Sequence, residues 1–275
     1  MSTTTQGTSN SPHPNETAQR MFSSLTSMMQ FDEQQVRGII RSVIAPTERE
    51  KCFILVYWRT AAHLMSLSKL NGYQHFQAIT MIARSLFELA VDLKLIDKIS
   101  DGVEKMIAFV DVEKLRAAWK ILKFKQKHPQ SKVDVSLYQS YIASEGTRVE
   151  AIKARLWPGA KKIEGFANMN LADRSVLAGL EYEEIYEVEQ PRMSWQVHSG
   201  LTGVANLKSE TFIHMAGVSI MSSIKSYELI LDAMIDEFKI GIADEKIKKK
   251  LAVSKLLPWA GDPVHAQMLY NEAVR

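Results

Sequence analysis

Cysteine is nearly missing: the 275 residues contain one, Cys52. That excludes a disulfide framework and fits a reducing compartment, and Cys52, inside the apolar run CFILVYW, reads as an inert core thiol. Proline and glycine are sparse, at 8 and 13 residues, and no tight-turn dipeptide joins alternating β-branched runs, so a hairpin-rich β fold has no support. Asn71-Gly72 joins two helical patterns instead. No apolar run is long enough to span a membrane, and residues 1–15, rich in Ser, Thr, Gln and Pro, lack the apolar segment of a signal peptide. The expectation is a soluble, cytoplasmic protein with no membrane partner. Glycine-rich phosphate loops, dinucleotide fingerprints and nucleophile elbows are absent, which leaves no cofactor to expect. His198, His214 and the Glu183/Glu187 pair offer metal-ligand atoms, but without HxxxH or Cys/His spacing no metal is expected.

What is present is helix-forming sequence with 3.6-residue apolar spacing, and it predicts an all-α helical bundle. Residues 1–16 read as a disordered tail, 17–257 as one helical-bundle domain and 258–275 as a C-terminal turn and tail. A short amphipathic helix is expected over 16–29, then a linker holding Pro46. Thr47-Glu48-Arg49-Glu50 has the form of a capping box and opens a helix to about residue 70, whose first half, 52–58, is apolar all round and expected to be buried. A second long helix over 73–98 completes an antiparallel hairpin. Two more follow over 103–126 and 135–156. In the first, Ile107, Val110, Leu115, Trp119 and Leu122 are expected inward; in the second, Leu137, Tyr141, Val149 and Ile152. A short helix near 172–177 is peripheral, and an acidic helix from about 181 is expected to break at Pro191. The longest helix, about 209–239, carries the stripe Ile213, Ala216, Ile220, Ile224, Tyr227, Leu231, Met234 and Phe238, with Gly217, Ser219, Ser222 and Ser223 allowing close approach of a partner helix. A lysine-rich helix over 245–256 and a Pro/Gly turn over 258–263 close the chain.

The net charge of +3 hides an asymmetry. Lysines and arginines dominate 111–162, whereas Glu181, Glu183, Glu184, Glu187 and Glu189 form an acidic block without a nearby lysine, so a basic face and an acidic patch are expected to coexist. The aromatics of the basic segment, Trp119, Phe124, Tyr138 and Tyr141, fall mostly on inward stripes. The segment therefore reads as a solvated face, with RNA contact as the sharper alternative.

Three side-chain constellations carry the functional reading. Arg84 and Glu88, four apart in AITMIARSLFELAV, sit among apolar neighbours that leave little room for solvent, so the pair either closes on itself or meets a third group. Arg192 and His198, with Ser194 four before the histidine, offer a phosphate-neutralising guanidinium and a proton-transferring imidazole, the combination metal-independent RNA cleavage needs. Arg59 and His63 lie four apart on the first hairpin helix, where His63 fits a hydrogen-bonded core histidine.

Residues 56–96, VYWRTAAHLMSLSKLNGYQHFQAITMIARSLFELAVDLKLI, together with SWQVHSG at 194–200, resemble a bacterial helical domain family of unknown function in the HEPN-like class, named for higher eukaryotes and prokaryotes nucleotide-binding. The order of an Arg-containing helix, a Gly-Tyr turn, an Arg-Ser-Leu-Phe-Glu helix and a later Ser-x-x-x-His carries the resemblance over about a fifth of the chain. It implies a helical bundle, often dimeric, and, in nuclease members, an Arg-x(4–6)-His motif that Arg192 and His198 match with five intervening residues. Met193 departs from the polar residue usual after that arginine, and Pro191 and the five glutamates are unusual beside a phosphate backbone. The resemblance thus implies a homodimer and, as one reading, an endoribonuclease in a toxin or phage-defence role with Arg192 and His198 catalytic. The other reading is a non-catalytic helical binding or regulatory protein in which Arg84, Glu88, Ser194 and His198 form a structural network. Under either, His198 is expected beside Arg84 and Glu88.

Overall fold

The computed structural model describes residues 14–70, 72–197 and 209–241, with 244–247, 249, 252 and 268. Among them every regular element is helical: α1 (Pro14–Phe31), a π-helical turn (Asp32–Val36), α2 (Arg37–Ser42), α3 (Glu48–Leu67), a 3₁₀ turn (Tyr73–His75), α4 (Phe76–Leu95), α5 (Gly102–Lys127), α6 (Ser136–Leu156), α7 (Leu171–Ala178), α8 (Leu180–Val188), α9 (Gln190–Val197) and α10 (Ser209–Phe238). No helix among the described residues is long and apolar enough to cross a membrane. Expectations for 1–13 and for the closing helix and turn beyond 252 lie outside the described residues.

Helix starts and stops follow local chemistry. Thr47 and Glu50 make the anticipated capping box: the Thr47 amide donates to Glu50 Oε2 at 2.7 Å, and the Glu50 amide donates to Thr47 Oγ1 at 3.2 Å. Asn170 caps α7 by accepting from the Asp173 amide at 2.9 Å. Gly102 opens α5 where the backbone runs so close to the carbonyl of Ile96 that a Cβ would collide with it. Pro191 sits in the first turn of α9, where its missing N–H costs nothing, so the acidic helix ends at Val188 and a new one begins. The expected linker holding Pro46 is present but confined to residues 43–47, because the π turn carries the chain after α1 into α2.

The chain divides into two compact units. The first comprises Met1–Val43, Tyr57–Ala90 and Glu184–Arg275. In it α1 runs along α10, and Leu25, Met28 and Phe31 of α1 are buried together with Ile220, Ile224, Tyr227, Leu231 and Met234 of α10, the stripe expected for that helix. The small residues of α10 do allow close approach: Ser219 Oγ lies 2.8 Å from Thr80 Oγ1 of α4, with both side chains fully buried. Asp32, on the π turn, is buried here too, and its carboxylate accepts from the Tyr57 hydroxyl at 2.8 and 2.9 Å and pairs with Arg37 at 3.5 Å. Burial raises the Asp32 carboxyl above its ordinary value although Tyr57 and Arg37 pull it down.

The second unit comprises Ile44–Val56 and Val91–Glu183. Its most extensive helix pairing is α5 with α6, around a core of Ala108, Val112, Leu115, Val149, Leu156, Trp157 and Ile163. Here the inward faces match expectation in part: Leu115 and Val149 are buried, and Tyr141 and Ile152 pack against the core. Val110 and Trp119 are exposed and Leu137 is 80% exposed, while Ala108, Val112 and Ala118 face the core. Leu55, inside the run expected to be buried all round, is likewise exposed. Cys52 is buried, and burial pushes its thiol up to about 11, which keeps it protonated at neutral pH. Trp157 is held by donation from Nε1 to the carbonyl of Phe166 at 2.9 Å in a buried setting. Trp157→Phe keeps most of the apolar contact but strands that carbonyl, so a loss of about 1–3 kcal/mol in a urea titration is expected.

Candidate functional site

Arg84 and Glu88 lie one turn apart on α4, and Arg84 Nε donates to Glu88 Oε1 at 3.2 Å. The pair is not sealed in the core: the two side chains are 29% and 39% exposed. The third partner expected for it, His198, lies outside the described residues, and a different member of the same segment meets the pair. Arg84 Nη1 donates to Ser194 Oγ of α9 at 3.3 Å, joining residues 110 positions apart in the sequence. α4 supplies this geometry because Ala83, Leu86, Phe87 and Ala90 are buried on one side and leave Arg84 and Glu88 at the margin of that face. α9 is anchored by Met193, fully buried immediately before Ser194.

Arg192 lies in the first turn of α9, but its side chain is not among those described; His198 and the loop after it lie outside the described residues, as does the expected meeting of His198 with Arg84 and Glu88. What the structure brings together is therefore Arg84, Glu88 and Ser194. Arg59 and His63 are placed on α3, and among the described residues no hydrogen bond links them to that group. No trio of His, Cys, Asp or Glu among the described residues is arranged to hold a metal ion.

Chemically, the cluster presents a guanidinium fixed at Nε and Nη1 by a carboxylate and a hydroxyl. Its Nη2 edge meets no partner among the described residues, so it is pre-oriented to donate to an anion.

Sequence reasoning missed two neighbours of this region within the same unit. Glu189 is buried and accepts from Lys225 Nζ of α10 at 2.7 Å, so the acidic block has a compensating lysine supplied from far along the chain. Gln190, which begins α9, is only 2% exposed, and neither atom of its side-chain amide meets a partner among the described residues. A third missed feature, the buried Asp32–Tyr57 pair, joins residues 25 apart and left no local signal.

His63 is half-buried and its Nε2 has no hydrogen-bond partner among the described residues, unlike the bonded core histidine expected. Burial, and then the Arg59 charge, hold its imidazole below the ordinary value. A depressed value in the folded chain means that protons bind the unfolded chain more readily, so the stability held above about pH 6.5 is lost as the pH falls through and below it. The urea midpoint is expected to drop between about pH 7 and pH 5. His63→Gln should make that drop shallower, and an unchanged drop would assign it to other groups. No protein-family model, no curated protein and no solved structure matches this chain.

Proposed function

We propose that the chain is a HEPN-like, metal-independent endoribonuclease, dimeric and acting in a bacterial toxin or phage-defence role. The observation that supports this reading is the Arg84 to Ser194 hydrogen bond, which ties α4 to the helix carrying Arg192 and ending one residue before His198. In this mechanism His198 takes the proton from a ribose 2′-hydroxyl, the 2′-oxygen attacks phosphorus, and the 5′-oxygen leaves with a proton returned by general acid catalysis. Arg192 neutralises the charge that builds on the phosphorane, and the part-exposed edge of Arg84 adds a second cationic contact. Glu88 positions Arg84.

A second reading, a non-catalytic helical binding or regulatory protein, is favoured by one specific observation. Arg84 already satisfies both Glu88 and Ser194, as a purely structural tie between helices would. Incubating the purified full chain with single-stranded RNA in EDTA separates the two. Products ending in 2′,3′-cyclic phosphate that disappear with His198→Ala support the nuclease; intact RNA, or cleavage unaltered in that variant, leaves the structural reading.

A further inference from the structure

Arg116, Trp119, Lys120 and Lys123 follow i, i+3, i+4, i+7 spacing and so share one side of α5, and together with α6 and residues 161–163 they line a cleft of about 610 Å³. That volume falls within the range of small-molecule sites. Six cationic side chains and a single carboxylate, Glu150, line it. Three of the six are already engaged: Arg116 with Glu113 and the Ile163 carbonyl, Lys153 with Glu150 at 3.2 Å, and Lys162 with Glu164 at 2.5 Å. Lys120, Lys123 and Lys161 have no ion-pair partner among the described residues. Like charges one turn apart repel, so leaving Lys120 and Lys123 unpaired weakens the helix unless an anion joins them. Trp119 is 43% exposed at the same cleft, above a floor of Val112, Leu115, Val149 and Ile163. An exposed indole over an apolar floor suits a flat aromatic ring, and the three lysines suit phosphate, which an acidic peptide or inorganic anion would match only in part.

We propose that this cleft binds a nucleotide, free or as one unit of single-stranded RNA, with its base stacked on Trp119 and its phosphates held by Lys120, Lys123 and Lys161. The inference does not rest on the nuclease reading, because it concerns binding within the second unit alone.

The test is fluorescence anisotropy of the full chain with a labelled 2′-O-methyl oligoribonucleotide of about eight units, a length within the usual single-strand site size and resistant to 2′-hydroxyl cleavage. ATP and tripolyphosphate serve as competitors. Competition by ATP identifies a free nucleotide as a ligand, and oligonucleotide binding that ATP does not displace identifies RNA; either supports the cleft. Lys120→Gln with Lys123→Gln is expected to weaken binding by about tenfold or more and to reduce the salt slope by about 1.4, the release expected for two phosphate contacts on a single strand. Trp119→Ala should weaken it about fivefold to a hundredfold, with Trp119→Phe largely retaining it. All of these positions are exposed or part-exposed, and Lys69→Gln with Lys94→Gln, both on exposed sites, controls for net charge. The proposal is overturned if the wild-type chain binds neither ligand at low salt, if the control pair weakens binding as much as the cleft pair, or if tripolyphosphate competes as well as ATP and Trp119→Ala has no effect.

Discussion

Asp32→Ala is expected to lower the stability of the first unit by about 3–5 kcal/mol, because it breaks a buried charged contact and leaves a buried donor with no acceptor. The Asp32 carboxylate takes both close contacts of the Tyr57 hydroxyl and faces Arg37 at 3.5 Å, and the fully buried Tyr227 hydroxyl interacts with the same carboxylate. Asp32→Asn separates charge from hydrogen bonding. It retains an oxygen for Tyr57 while removing the charge that faces Arg37, so it is expected to cost less than Asp32→Ala. Urea titrations at neutral pH read both. A loss below about 1 kcal/mol for Asp32→Ala would mean that the cluster is relaxed around rather than built on this carboxylate.

Under the proposed nuclease reading, His198→Ala is expected to reduce RNA cleavage by about 10²–10⁴-fold, the usual contribution of a general acid–base group. The unfolding midpoint, measured on the same preparation, distinguishes lost chemistry from lost structure. Arg84→Gln gives the complementary result. Its contacts to Glu88 and Ser194 are part-exposed, so its effect on stability should stay under about 1 kcal/mol, whereas the proposed phosphate contact should make it a clear rate defect. Were Arg84→Gln to destabilise the chain strongly and His198→Ala to cleave normally, the cluster would be a structural tie.

How far the sequence anticipated these features depended on whether the signal was local. The capping box at Thr47, the break at Pro191 and the stripe of α10 are each written within one or a few turns, and all are present. A further partner for Arg84 was legible as a need, since a charged pair among apolar residues calls for one; Ser194 meets it, while His198, the partner expected, lies outside the described residues. The inward face of α5 was legible only in part, at Leu115. Alanines such as Ala108 and Ala118 give a weak apolar signal yet are buried, while Trp119 gives a strong one and is exposed. Pairings set by tertiary approach, Glu189 with Lys225 and Thr80 with Ser219, left no trace in local spacing.

The π turn at Asp32–Val36 carries one further consequence. Buried positions there advance as Met28, Asp32, Val36 and Ile40, in steps of four, faster than the 3.6-residue pitch of an α-helix can keep on one side. The turn absorbs the surplus, so the screw on either side stays in phase with a single wall of the core. Residues 32–36 thus act as a vernier between α1 and α2: the count of residues within that short window, more than the identity of most of them, sets which side chains of both helices look inward.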